Sequence, residues 1–132
     1  MSNFEHLTDE DILNKILGVE IPKKTVEIKR LGIPVTVHGL SLREVTTSKE
    51  RHTSVDKKGN STLDTESYNL SLIVSAIEKP NFGDQRLLAK YKASSAEEVI
   101  KRLLLSGEII GLVDLITDLS GFNSEFEEVK NG

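Results

Sequence analysis

Between Tyr68 and Ile77 the chain is apolar on most sides at once. At 100° per residue, Tyr68, Leu70, Leu72, Ile73, Val74, Ala76 and Ile77 cover roughly 240° of a helix surface. A helix lying on the outside of a core needs a stripe of only about 100°. The spacing therefore predicts a helix over 65–78, stopped by Pro80 and enclosed by the rest of the molecule. With four Phe, two Tyr and no Trp in 132 residues, what encloses it must be aliphatic. That length favours one domain over 1–122, with an acidic tail, 123–132, expected to fray.

The flanking segments supply such partners. Thr8 followed by Asp9, Glu10 and Asp11 has the form of a helix start, with a capping hydroxyl and acids at the positive end of the dipole. Ile12, Leu13, Ile16 and Leu17 then share one face up to Gly18, so a short helix is expected at 9–17. Thr25 to Leu31 and Val35 to His38 alternate apolar and polar residues around Gly32 and Pro34, as a hairpin would. Ser41 and Glu44 have capping-box spacing for a helix over about 42–51. The polar run 53–62 reads as a mobile loop. Asp84 opens a helix at 85–91, and Ser94 or Ser95 caps one at 96–104 that turns Ala96, Val99, Ile100, Leu103 and Leu104 to one side. A last helix follows Ser106, ending at Gly121 in a Schellman turn with Phe122 folded back. The fold class is α+β, mostly α: about six helices and one β-hairpin (about 25–38) near the N-terminus.

Chemistry finds little to work with. The absence of cysteine removes disulfides, thiolate metal sites and thiol nucleophiles. His6, His38 and His52 have no neighbour at ligand spacing. Gly107 to Gly111 lacks the lysine and preceding strand of a phosphate loop, and no serine lies in a nucleophile elbow. No catalytic, cofactor or metal site is expected, and the chain reads as no enzyme. It has no apolar run of about 20 residues and no basic-then-apolar leader, so the expectation is a cytoplasmic protein away from membranes.

Binding remains. Net charge is −4 but unevenly spread. Residues 1–20 carry −4, residues 21–60 carry +5 and residues 103–132 carry −5. Lys23, Lys24, Lys29 and Arg30 form a candidate electrostatic patch for phosphates. No aromatic residue lies between Phe4 and Tyr68 to stack on a base, which weighs against nucleic acid. In the last helix, Ile109, Ile110, Leu112, Val113, Leu115, Ile116 and Leu119 span about 220°, more than one packing face needs. These seven are the candidate protein-binding residues, the competing readings being sandwich burial or a homodimer seam. The hairpin edge could also recruit a strand from another copy.

The order of these parts resembles the phage tail assembly chaperones of Gram-positive phages and prophages, the XkdN-like family, over about residues 8–122. The resemblance rests on the acidic helix Asp9-Glu-Asp-Ile-Leu, the basic hairpin Val26-Glu-Ile-Lys-Arg-Leu-Gly leading to Leu40-Ser-Leu-Arg-Glu, and the apolar helix ending in Glu78-Lys-Pro-Asn-Phe. It continues through Leu87-Leu-Ala-Lys-Tyr, Ala93-Ser-Ser-Ala-Glu-Glu-Val, Leu103-Leu-Leu-Ser-Gly-Glu-Ile and Leu119-Ser-Gly-Phe. It implies a non-enzymatic chaperone that binds the tape measure protein, the tail tube protein or both, and is missing from the finished virion. It also implies that a longer, frameshifted form exists in some members. The family brings no fixed site residues.

Overall fold

The computed structural model describes residues 4–123. After a short turn of 3-10 helix at Phe4–His6 come α1 (Asp9–Leu17), β1 (Lys23–Ile28), β2 (Ile33–His38), α2 (Leu42–Arg51), β3 (Thr53–Val55) and β4 (Ser61–Leu63). They are followed by α3 (Thr65–Ala76), β5 (Ile77–Lys79), α4 (Gln85–Tyr91), α5 (Ala96–Leu103) and α6 (Ser106–Leu119). The expected acidic tail falls outside the described residues from Ser124 onward. The α+β class holds, with two corrections. The hairpin follows α1 instead of standing at the N-terminus, and it belongs to a three-stranded antiparallel sheet in the order β1-β2-β5.

Helix α3 occupies the centre, touching α2, α5, α6 and β2. Leu70, Leu72, Ile73 and Ala76 are buried, along with Val35 and Val37 of the sheet, Val99 and Ile100 of α5, and Leu112 and Ile116 of α6. Each of the Val, Leu and Ile side chains contributes about 1.5–3 kcal/mol on leaving water. The one buried polar residue of α3 is paired: the buried Ser71 and Ser48 hydroxyls lie 2.8 Å apart, joined by a hydrogen bond between α2 and α3.

The helix ends two residues sooner than its apolar run suggests. Ile77 turns extended and pairs with Val37, and Lys79 pairs with Thr36, so the segment after Ala76 becomes β5. Local periodicity cannot anticipate this, because the pairing that decides it comes from forty residues upstream. The 53–62 segment is likewise structured, as the β3–β4 hairpin. Its turn is held by Asp56, whose Oδ1 accepts from Lys58 N–H (2.8 Å) and Asn60 N–H (2.9 Å), with Gly59 at φ +85°. That arrangement is a tight turn followed by a left-handed glycine bulge, a common way to close a short hairpin.

The ladder between β1 and β2 can be followed pair by pair. Gly39 N–H donates to the Pro22 carbonyl (2.8 Å), and β1 and β2 then pair in register from Lys23↔His38 to Ile28↔Ile33. Alternation makes Lys24↔Val37, Val26↔Val35 and Ile28↔Ile33 the bonded pairs. In the pairs between them, Lys23, Thr25 and Glu27 turn their N–H and C=O away from β2. Pro34, read from sequence as a turn residue, is tolerated inside β2 because it sits opposite Glu27, where no bond to β1 is needed. The close approach of such a pair also puts the Thr25 and Thr36 hydroxyls 2.7 Å apart.

The helix starts follow the capping logic of the sequence. Thr8, Ser41, Asp64, Asp84 and Ser95 each accept a backbone N–H at the start of α1 to α5. Ser95 rather than Ser94 caps α5, while Glu98 reaches back to Ser94 N–H (2.8 Å). At the other end of α6, Phe122 N–H donates to Thr117 O and Gly121 N–H to Asp118 O, the two bonds of a Schellman turn. Phe122 remains 63% exposed, so it is not folded back into the core as expected.

The sheet and α6 meet at Gly39. A Cβ there would stand 2.3 Å from the Leu119 carbonyl oxygen. Beside it, Leu40 N–H donates to Ser120 Oγ (2.8 Å), which in turn donates to Ile116 O (2.6 Å). Gly39→Ala must push the end of β2 away from α6, and a loss of about 1–3 kcal/mol is expected by chemical denaturation. Ala at the exposed Gly107, where a Cβ meets nothing within 4 Å, is the control and should not destabilise.

Candidate partner-binding surface

Of the longer amphipathic elements, α1 is the one left out of the core. Helix α1 has no buried residue. Its apolar face, Ile12, Leu13, Ile16 and Leu17, is 44, 58, 61 and 83% exposed, and the connector that follows adds Val19 and Ile21 at 73 and 62%. The opposite face carries Glu10, Asp11, Asn14 and Lys15. Locally the helix is well made. Thr8 Oγ1 accepts from Asp11 N–H (3.1 Å), and the Asp11 carboxylate accepts from Thr8 N–H (3.0 Å), which holds its pKa below the ordinary carboxylate value. A helix of nine residues is nevertheless marginal in water without packing. Six large apolar side chains side by side on one exposed segment are the pattern of an unfilled interface.

The connector leads this apolar surface onto the body of the protein. Val19, Ile21 and Pro22 line a shallow, mostly apolar depression with Gly39, Leu40, Leu119 and Gly121. The sequence carries the signal for α1 in its amphipathic spacing. What it lacks is any indication that the core closes without this helix.

The seven α6 residues separate into three environments. Leu112 and Ile116 are buried beneath α3 and the sheet, and Ile109, Val113, Leu115 and Leu119 are half-buried against the core. Ile110 is 55% exposed. With Ile109 it lines a groove of about 360 Å³ that also involves Thr65, Asn69 and Leu70. Leu115, Leu112 and Gly111 border a second groove, about 400 Å³, against Val26 and Ile28 at the β1 edge.

The four cations of the hairpin do not gather on one surface. Lys23 and Lys24 alternate across the two faces of β1. Arg30 is engaged elsewhere: its guanidinium grips Glu108 through Nη2 (2.8 Å) and Nε (3.1 Å) and donates to the Leu103 carbonyl (2.8 Å). This pair fastens the β1–β2 turn to the corner between α5 and α6. Among the described residues, no cluster of His, Asp or Glu is arranged to hold a metal ion. No helix among them is long and apolar enough to cross a membrane.

The family model for the phage XkdN-like tail assembly chaperone protein matches residues 10–131. The chain belongs to that family, as the order of its elements suggested. In fold it is similar to the crystal structure of the protein yqbn, at a TM-score of 0.60 and 17% identity over 80% of this chain and 89% of that one. No curated protein matches it.

The Arg30–Glu108 pair makes stability depend on pH. The Arg30 guanidinium, helped by Leu105 N–H, holds the Glu108 carboxyl below its ordinary value of 4.5. A depressed folded-state pKa means that the stabilisation is fully present above that ordinary value and fades as pH falls through the lower folded value. Glu108→Gln should therefore destabilise the protein at pH 7, and the difference from the native chain should shrink in acid below the folded value. Urea titrations of both chains across that range measure it.

Proposed function

We propose that this tail assembly chaperone acts by binding rather than catalysis, covering the apolar stripe of a long helical tail protein, the tape measure protein, until assembly. The carrying observation is the uncovered apolar face of α1. Its residues at i, i+1, i+4 and i+5 are the anchors by which one amphipathic helix lies along another. Docking would supply the burial that a nine-residue helix lacks alone. Asp9, Glu10 and Asp11 at its start favour a partner stripe bordered by Lys or Arg.

The last helix contributes at its margin. Ile110 is available to a partner, Leu115 in part, and Leu112 and Ile116 serve the core. A tail tube subunit that competes for the tape measure stripe would release the chaperone, which fits work done in the host cytoplasm by a protein not retained in the virion. Family membership supports the assembly role, and the exposure of α1 supports the surface.

The test is co-expression with the tape measure protein, scoring its soluble yield and co-purification. Leu13→Asp with Ile16→Asp should abolish co-purification while far-UV circular dichroism and melting of the chaperone stay as in the native chain. Ile110→Lys should weaken it roughly tenfold, as expected for an anchor at the rim of an interface. Unchanged co-purification by the α1 variant would overturn the assignment of α1.

A further inference from the structure

We infer that the free edge of β1 pairs with β1 of a second copy of this chain, in one register, to give a dimer with a continuous six-stranded sheet. The outward-turned backbone groups belong to Lys23, Thr25 and Glu27, and these residues are exposed. An antiparallel partner must present the same kind of residue, because only outward-turned groups can exchange bonds. A two-fold axis at Thr25 satisfies this fully. Thr25 then faces Thr25 of the second copy, and Lys23 faces its Glu27 at both ends, giving three bonded pairs and six backbone hydrogen bonds.

Charge selects the same register. Lys23 and Glu27 lie on one face of the strand, four residues or about 14 Å apart, too far to pair within one chain. Among the described residues, neither takes part in any of the ion pairs, which are Arg30–Glu108, Arg86–Asp84 and Lys101–Glu66. In the two-fold register each Lys23 meets a Glu27 directly across the strands. A shift of two residues either way breaks both pairs and loses one bonded pair of residues. On the inner face, the groove formed by Val26, Ile28, Gly111, Leu112 and Leu115 lies beside this edge, so the grooves of two copies adjoin across the seam.

Such a dimer would offer two α1 helices to one extended helical partner and raise its avidity without new contacts. The pairing itself does not depend on that role.

The experiment is sedimentation velocity of the full chain over a concentration series, with circular dichroism to check folding. The native chain should dimerise. Lys23→Glu places two acids opposite each other at both ends, and Glu27→Lys places two lysines there. Each should weaken the dimer by roughly tenfold or more, since like charges directly opposite destabilise a strand pair. The double exchange, Lys23→Glu with Glu27→Lys, restores opposite charges and should return the dimer to within roughly threefold of the native affinity. A native chain that stays monomeric, single variants that dimerise as the native chain does, or a double variant no stronger than the singles would each overturn the proposal.

Discussion

The core of this fold is arranged around one helix that cannot be left in water on most of its sides. Helix α3 is covered by α2, α5, α6 and the central strand β2, and Ile73 and Ala76 reach zero exposure. Enclosing a helix from several directions is demanding for a chain of this size. It consumes the apolar faces of α5 and the sheet and the middle of α6. The breadth of apolar surface on α6 is explained by this demand, because the helix meets α3 along one line and the sheet along another. What first looks like surplus surface for a partner is largely the second half of a sandwich.

The same demand accounts for α1. Once α3 is enclosed, the core is closed without α1, and the apolar face of α1 stays open. An amphipathic helix joined through Gly18 and the Val19–Ile21 connector can seek a partner without cost to the core. The close contact of Gly39 with the end of α6, and the grip of Arg30 on Glu108, keep that core closed independently of α1. A chaperone benefits from this separation. If α1 is the docking element, as proposed, it can order, exchange and release while the body stays folded.

Much of this was legible in the residues. The capping residues Thr8, Ser41, Asp84 and Ser95 mark helix starts because a side-chain oxygen must satisfy amides that the first turn leaves open. The alternation of Val26, Ile28, Val35 and Val37 gives the inner face of the sheet. Other features were hidden for identifiable reasons. β5 depends on a strand partner forty residues away, and β3–β4 depends on Asp56 bonding to its own turn, where composition alone reads as loop. The α1 surface was visible as a pattern but not as a site, since spacing identifies an apolar face and says nothing about what it meets. Likewise, Arg30 looked like one member of a basic patch until Glu108, distant in sequence, claimed it.

If α1 is peripheral to the fold and is completed by its partner, as proposed, its backbone amides must report both states. Hydrogen exchange of backbone amides, measured on the full chain alone and with the tape measure protein bound, addresses this most directly. In the free chain α1 should exchange far faster than α3 and α6, and protection should appear in α1 when the partner is present. Exchange in α1 as slow as in α3 in the free chain, or a bound state in which α1 gains no protection, would contradict it.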